Sequence, residues 1–294
     1  MTRIKRILAA TDLSAPARHA AERAALLAGT AQGMLDLMHV IPAAPLDKLR
    51  RLVREIPAEA GQRLFDAARE DLRHLAEGLL NKYGVAAGTH VMPGAILRCL
   101  NEEADALGAD LIVLGARGAS FVQRLLLGST AEKMVSRAAR PLLVVKQPPR
   151  EIYRRLLVPV DFSPASLPAL RLARALAPEA ELILLHAFDV PFEGKLRLAG
   201  VTEDTVEVYR VAAREEALQK MGELLAGAGM DPHAARRLVL HGDPWRHIVE
   251  QEQEQDCDLI VMGRRGEGLL EEFLLGSVTK RVLMDCQGDV LISI

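Results

Sequence analysis

The chain of 294 residues repeats itself once, and this duplication constrains its fold more than any other feature. The segment 110–118, Asp-Leu-Ile-Val-Leu-Gly-Ala-Arg-Gly, recurs at 258–266 as Asp-Leu-Ile-Val-Met-Gly-Arg-Arg-Gly, with seven of nine positions identical. An earlier segment, 6–14, is echoed at 155–163, and the two offsets are 148 and 149 residues. A nearly constant offset means that similar elements follow in the same order. A period this long indicates a duplicated domain rather than a solenoid unit.

The boundary between the copies falls at Gln147-Pro148-Pro149-Arg150, where adjacent prolines interrupt helix and strand alike. We therefore predict two domains of the same kind, residues 1–147 and 151–294. Each has the usual length of a domain, and with half of all residues hydrophobic each can bury a core.

Within each copy, five short apolar runs alternate with longer amphipathic stretches. The runs fall at 4–10, 34–40, 86–92, 110–115 and 141–146, and again at 153–160, 181–187, 236–241, 258–263 and 289–293. They are nearly continuous in Ile, Leu and Val, as strands buried on both faces are. The pattern predicts the α/β class, with two tandem doubly wound domains. Each has a five-stranded, mainly parallel sheet of order 3-2-1-4-5 flanked by helices.

The amphipathic stretches predict helices at 15–28, 60–82, 164–177 and 206–226. Ser14 and Ser163, each close to a proline, are the predicted N-caps of the first helix in each copy. In sheets of this order, ligands bind beyond the carboxyl ends of the strands, where the strand order reverses. That point lies between the first and fourth strands of each copy.

A glycine motif follows the fourth strand of each copy, at 115–129 and at 263–277, with the spacing G-x2-G-x9-G-[ST]. Glycines at a strand end let backbone amides approach an anion without a Cβ in the way. The last glycine then opens a helix, whose free amides and positive dipole end favour phosphate. Ser129 and Ser277 are candidates either to cap that helix or to donate to a phosphate oxygen.

Together these features resemble the universal stress protein family in its tandem two-domain form. The resemblance covers essentially the whole chain and rests on the Asp-x-Ser after the first strand, the His-Val type end of the second strand, and the glycine motif. In ATP-binding members, the aspartate and the residue after the histidine lie around the adenosine. The glycines and the following hydroxyls hold the phosphates.

The resemblance implies ATP, ADP or AMP as the ligand, with Mg²⁺ as a candidate companion. The implied binding residues are Asp12, Val40, Gly115, Gly118, Gly128, Ser129 and Thr130 in the first copy, and Asp161, Ala187, Gly263, Gly266, Gly276, Ser277 and Thr279 in the second. We add Arg117 and Arg265, which lie between the glycines, and Val278, which follows Ser277.

The two copies of the site differ in hydroxyls and in charge. Ala131 offers no hydroxyl where Thr279 does. The first copy has arginines between its glycines and no acid there, whereas the second sets Arg264 and Arg265 against three glutamates at 267, 271 and 272. Acids that face the site would repel a triphosphate. The hydroxyl favours the second site and the charge favours the first, so the sequence does not predict which site binds a nucleotide more tightly.

Each candidate also has a structural interpretation. For Asp12 and Asp161 the structural interpretation is an Asx turn, in which each carboxylate accepts hydrogen bonds from backbone amides and binds no ligand. The glycines could form tight turns alone, and His39 and His186 fit the end of a buried strand better than chemistry. Two further histidines, at 241 and 247, have no helical metal-ligand spacing and no counterpart in the first copy, so no metal site is predicted.

Composition narrows the partners and the compartment. The net charge of −2 gives no electrostatic footprint for nucleic acid. No apolar run approaches the length of about 20 residues that a membrane span needs, and no secretory h-region is apparent at the start. The three cysteines are scattered, which disfavours disulfides and zinc. We expect a soluble, cytoplasmic protein without a membrane span.

Three function classes compete: a nucleotide-binding regulatory module, a slow Mg²⁺-dependent ATPase, and a dimerising scaffold with a non-nucleotide ligand. The chain has no Walker-type Gly-Lys-Ser/Thr and no kinase signature, so phosphoryl transfer lacks its usual apparatus and no catalytic residue is assigned. The regulatory module is favoured. It would act on an unidentified protein partner.

The last strand of each copy predicts how the chain assembles. Both 141–146 and 289–293 are apolar edge strands that need cover. We predict that they pair within one molecule and that the copies form a pseudo-dimer. Because single-domain members of the family resembled here commonly dimerise along this strand, a homodimer of the whole chain is a further expectation.

Overall fold

The computed structural model describes residues 4–42, 58–118, 127–189, 201–264, 266 and 275–294, with the backbone alone at 58–60. By their contacts these residues form two compact units. The first unit holds residues up to 152 together with 289–292 and 294, and the second holds 153–288 and 293. Both have strands alternating with helices, which confirms the predicted α/β class with two tandem doubly wound domains.

The first copy contains five strands and four helices among the described residues. The strands are β1 Arg6–Ala10, β2 Met34–Pro42, β3 Ala87–Gly94, β4 Leu111–Gly115 and β5 Leu142–Val145, and the helices are α1 Ala15–Ala31, α2 Ala58–Tyr83, α3 Ile96–Leu107 and α4 Ser129–Arg137. All five strands are parallel, in the order β3-β2-β1-β4-β5, which is the predicted 3-2-1-4-5.

Helix α1 shows why the sheet and its helices pack closely. Ser14 is its N-cap and accepts a hydrogen bond from the amide of Ala17, as predicted, and Pro16 lies in its first turn. Its sheet-facing side is a row of fully buried alanines, including Ala20, Ala24 and Ala28. Such small side chains let the helix backbone approach β1 and β4, which carries the loops after both strands close together.

The second copy repeats the arrangement. Its strands are β6 Arg155–Pro159, β7 Glu181–Phe188, β8 Ala235–His241, β9 Leu259–Gly263 and β10 Asp289–Ser293, and its helices are α5 Ser166–Leu176, α6 Glu203–Gly227, α7 Pro244–Glu254 and α8 Ser277–Asp285. In the second unit the strands run β8-β7-β6-β9, all parallel. The amide of Arg264, just after β9, donates to the carbonyl of Ser293 at the end of β10. The strand order of the second copy is therefore β8-β7-β6-β9-β10, the predicted 3-2-1-4-5.

The first helix of the second copy begins later than predicted. Helix α5 starts at Ser166, and its N-cap is Ala165, so the prediction that Ser163 caps it was wrong. The reason is the carboxylate of Asp161, whose Oδ1 accepts from the Ser163 amide at 3.0 Å and from the Ser166 hydroxyl at 3.0 Å. Residues 163–165 form a turn around this carboxylate before the helix can begin.

Strand β10 supplies its first four residues to the first unit. There it pairs antiparallel with β5, with Leu291 opposite Leu143. The predicted pairing of the two last strands is therefore present. The buried carboxylate of Asp289 holds the start of β10 in place. It accepts a hydrogen bond from the Lys146 amide at 2.8 Å, and it forms an ion pair with the buried Arg23, whose Nε lies 3.3 Å away.

Two further predictions concern the cysteines and the membrane. Cys99, Cys257 and Cys286 are buried free thiols, and burial raises the pKa of the Cys257 thiol to about 12. Among the helices of the described ranges, none is both long and apolar enough to cross a membrane.

Candidate functional site

A cavity of about 360 Å³ opens in the first copy beyond the carboxyl ends of β1 and β4, where the strand order reverses. Every residue that the sequence analysis placed in this site lines it: Asp12, Val40, Gly115, Arg117, Gly118, Gly128, Ser129 and Thr130. These residues come from four separate segments, and the fold brings them together.

The second copy has a corresponding cavity of about 650 Å³. It is lined by Asp161, Ala187, Gly263, Gly266, Gly276, Ser277, Val278 and Thr279, and the remaining candidate, Arg265, lies outside the described residues. The glutamates at 267, 271 and 272 also lie outside them. Both cavities have the volume of ordinary small-molecule sites.

The aspartate after the first strand of each copy does two things at once. Asp12 Oδ1 accepts from the Ser14 amide at 3.1 Å and from the Ser14 hydroxyl, so the Asx-turn geometry of the structural interpretation is present. Its other oxygen, Oδ2, lies too close to the position of a Cβ on residue 118 for both atoms to fit. Asp161 and Gly266 make the same approach. The aspartate therefore contacts the glycine loop as well as its own turn.

The residue between that aspartate and its turn adopts an unusual backbone conformation in both copies. Leu13 has φ 65° and Phe162 has φ 62°, in the left-handed region that bulky side chains rarely adopt. The strain is offset by the hydrogen bonds that each neighbouring aspartate accepts. In each copy this turn holds the carboxylate at the edge of the cavity.

The helix after the glycine motif opens into each cavity at its N-terminus. Gly128, not Ser129, is the N-cap of α4, and Gly276, not Ser277, is the N-cap of α8. Of the two roles left open for these serines, helix capping is therefore ruled out, and donation to a phosphate oxygen stays a prediction. The first hydrogen bond within α4 joins the Glu132 amide to the Gly128 carbonyl at 2.9 Å. The amides of residues 129–131 precede it and face the end where an anion is favoured. Because the cap is glycine, it has no side chain to occupy these amides.

Ser129 and Ser277 are exposed at the mouth of the cavities, and Gly128 and Gly276 are buried beneath them. The Gly128 amide donates to the Ala116 carbonyl at 2.8 Å, and the Gly276 amide to the Arg264 carbonyl at 3.1 Å. These bonds tie each helix start to the loop after the fourth strand. The two halves of the glycine motif therefore form one rim.

The hydroxyl difference between the copies has a structural explanation. Thr279 is buried, and its hydroxyl donates to the Gly263 carbonyl at 3.2 Å. It fastens α8 to the end of β9, so its proton is not directed to a ligand. Ala131 is buried at the same position of α4.

The two histidines at the ends of the second strands also make structural contacts. His39 Nδ1 donates to the Thr11 carbonyl at 2.8 Å, and His186 Nδ1 donates to the Val160 carbonyl at 2.8 Å. Each joins the end of the second strand to the end of the first. In both copies, the histidine positions the following residue, Val40 or Ala187, on the cavity wall.

Sequence reasoning missed the apolar wall of each cavity. Ile96 and Leu100 on α3 line the first cavity, and Pro244 and Ile248, at the same offset of 148, line the second. The spacing i, i+4 was visible in the sequence, but it also fits a face packed on the sheet. Lys280, in the first turn of α8, also lines the second cavity and was also missed.

Each site thus has an apolar side and an anion-binding side. The apolar wall suits a flat, uncharged group, whereas the glycine rim and helix N-terminus suit phosphate. No group of three or more His, Cys, Asp or Glu side chains that could hold a metal occurs in the described part of the chain. His247 Nε2 instead donates to the His241 carbonyl at 3.0 Å.

Comparison with known proteins gives the family. The model of the universal stress protein family matches residues 3–146 and again residues 152–293. A universal stress protein of Mycolicibacterium smegmatis is 27% identical over 302 residues, which cover 97% of this chain and 96% of that protein. Universal stress protein MJ0531 of Methanocaldococcus jannaschii is 35% identical over 144 residues, covering 48% of this chain and 82% of that one.

A solved structure supports the fold. The universal stress protein from Archaeoglobus fulgidus has a TM-score of 0.68 and 21% identity, covering 98% of this chain and 97% of that one. The chain belongs to the universal stress protein family, in its tandem two-domain form. The resemblance drawn from the sequence motifs is confirmed.

Proposed function

We propose that each copy binds an adenine nucleotide (ATP, ADP or AMP) and that the bound nucleotide alters the surface offered to a protein partner in a stress response. The observation that carries this proposal is a helix N-terminus capped by a buried glycine and opening into a cavity, present twice. A phosphate there meets backbone amides and the positive end of the helix dipole.

The rest of each site fits a nucleoside. The cavity wall also includes two apolar side chains of the helix after the third strand, Ile96 and Leu100 in the first copy, on which a base can pack. The carboxylate of Asp12 is held at the cavity edge, where it can accept hydrogen bonds from ribose hydroxyls. Mg²⁺ would accompany the phosphates through their own oxygens.

The site favours binding over reaction. Phosphoryl transfer needs a cationic clamp, an acid that holds the metal and a group that orients the nucleophile. Among the described lining residues, Asp12 and Asp161 are the acids, and each already accepts two hydrogen bonds from its own turn. Two alternative functions are a slow Mg²⁺-dependent ATPase and a dimerising scaffold that binds a non-nucleotide ligand.

We further propose that the chain acts in the cytoplasm as a homodimer, with domains 1–147 and 151–294.

Calorimetric titration of the full chain with ATP tests this proposal. We expect heat from two sites, loss of one site in Gly128→Asp or in Gly276→Asp, and loss of both in the double variant. Each substitution places a carboxylate where phosphate would lie, which costs at least several kcal/mol.

The matched control is Gly78→Asp on α2, where a Cβ would meet nothing within 4 Å. It adds the same charge away from both cavities, so binding is expected to stay unchanged. Absence of both heat and a thermal shift with the wild-type chain would refute the proposal.

A further inference from the structure

One position distinguishes the phosphate ends of the two cavities. Lys280 is the fourth residue of α8, and Glu132 is the fourth residue of α4. Each amide donates to the carbonyl of its N-cap glycine at 2.9 Å, so the two backbones match there. The side chain at this position therefore differs by two charge units between the copies, on the same scaffold.

The charge of the fourth helix residue affects how well the helix N-terminus binds an anion. The N-terminal end of a helix carries a partial positive charge, so Glu132 is favourable there without a ligand and Lys280 is unfavourable. Lys280 also lines the second cavity beside Gly276 and Ser277. A cation at the positive end of a helix becomes favourable once an anion binds between them. The second site therefore gains more from a highly charged ligand than the first.

The arginine between the glycines does not produce this difference. Arg117 lines the first cavity, and its counterpart in the second motif is Arg265, so both copies carry a cation there. The aspartates are likewise shared, as Asp12 and Asp161. Among these three pairs of equivalent positions, the sign of the charge changes only between 132 and 280. The glutamates at 267, 271 and 272, which would oppose polyphosphate at the second site, lie outside the described residues.

We infer that the two sites select different nucleotides: the second site takes polyphosphates such as ATP, and the first takes nucleotides with fewer phosphate charges. Lys280 is the specificity-determining residue of the second site. The first copy has Glu132 at the equivalent position, outside the cavity lining. This inference rests on the proposed function, because it names the ligand class of each of the two proposed sites. A chain of this kind would report the ratio of ATP to AMP.

The test uses full-length chains with one site left intact. Gly128→Asp leaves the second site, and Gly276→Asp leaves the first. Each is titrated with ATP, AMP and adenosine, without and with Mg²⁺, to obtain the ratio of ATP to adenosine affinity. We expect this ratio to be about tenfold higher at the second site, as one charge-assisted contact provides.

Charge exchange at the two positions then isolates the cause. In the chain with only the second site, Lys280→Glu is expected to lower ATP affinity about tenfold and to leave adenosine affinity unchanged. In the chain with only the first site, Glu132→Lys is expected to raise ATP affinity. Lys133→Glu, at the next and exposed position of α4, is the control and should leave the ratio at the first site unchanged.

Equal ratios at the two sites, unmoved by both exchanges while ATP still binds, would overturn this inference and leave the proposed function standing. Loss of adenosine affinity together with ATP affinity in Lys280→Glu would also overturn it, because the effect would then be structural. If neither single-site chain nor the wild type binds ATP, the proposed function itself fails and this inference falls with it.

Discussion

The carboxylate of Asp12 lies so close to Gly118 that a Cβ on residue 118 would displace it, so glycine at 118 lets this carboxylate keep its position. Asp161 and Gly266 repeat this relationship in the second copy. The middle glycine of the motif therefore couples the turn after the first strand to the loop after the fourth. A ligand is not the sole reason for glycine there.

We expect Gly118→Ala to displace the Asp12 carboxylate and to weaken nucleotide binding at the first site about tenfold or more, with the second site unaffected. The reason is steric, because an added methyl group overlaps Oδ2. Calorimetric titration of the full chain measures it. Gly78→Ala, in open space on α2, is the control and is expected to stabilise the helix by up to about 1 kcal/mol.

A double-mutant cycle separates this clash from a general loss of flexibility. In an Asp12→Ala background, Gly118→Ala should cost less stability than in the wild type, since the atom it meets is gone. An equal cost in both backgrounds would show that Asp12 does not explain the glycine.

The sequence predicted the strands to within about two residues and their order completely, because continuous apolar runs and a duplicated spacing are strong signals. It also placed the described site residues around one cavity in each copy. It failed where one side chain decides a helix start. The residue types do not show which hydroxyl donates to the Asp161 carboxylate, and because Ser166 does so, α5 begins later than predicted.

The apolar wall was missed for a similar reason. A helix that packs on a sheet has more apolar positions than one cavity uses, and periodicity alone does not tell which of them, such as Ile96 and Leu100, reach the cavity. Lys280 was missed because an isolated lysine in a first turn has no motif. Its place became visible only through its equivalence with Glu132 and its position on the cavity wall.

Turnover of ATP is expected to be incidental. The chain lacks a Walker-type Gly-Lys-Ser/Thr, and its cavity aspartates already accept hydrogen bonds from their turns. We expect a steady-state rate of phosphate release far below about 1 s⁻¹, the lower range of ordinary enzymes. A rate near that value, abolished by Asp12→Asn or Asp161→Asn, would instead indicate an enzyme.

Strand β10 links the end of the chain to the stability of the first unit. Leu291 is fully buried opposite Leu143 on β5. We expect Leu291→Lys to lower the free energy of unfolding by about 3–5 kcal/mol, because it buries a charge without a partner. Thermal unfolding should then show joint loss of both copies, and hydrogen exchange should show β5 amides losing protection.

Val208→Lys is the control for that substitution, since Val208 is 69% exposed, and it should change stability by about 0.5 kcal/mol at most. Two well-separated transitions, with the first copy indifferent to Leu291→Lys, would contradict the account of β10.

Acid stability is expected to depend on Asp36, a buried carboxylate on β2. Burial alone would raise its pKa, but hydrogen bonds from Arg6 Nε at 2.8 Å and His90 Nε2 at 3.0 Å outweigh this and hold the pKa below its ordinary value of 3.8. A depressed pKa in the folded state adds stability above the unfolded pKa, about 3.9, and loses it as pH falls through the folded pKa.

Asp36→Asn should therefore cost about 2 kcal/mol at pH 5, and the difference from the wild type should shrink steadily below pH 4. Urea unfolding between pH 3 and 5 measures it. A difference that stays constant through this window would mean that ionisation of Asp36 contributes nothing to stability.

Native mass spectrometry of the intact chain in the presence of ATP tests the central claim most directly, because it counts ligands on each molecule. The account predicts mass increments of one and then two nucleotides, with a single increment left in Gly276→Asp or in Gly128→Asp and none in the double variant. A spectrum with no nucleotide increment at any ATP concentration, or one whose increments survive in the double variant, would contradict it.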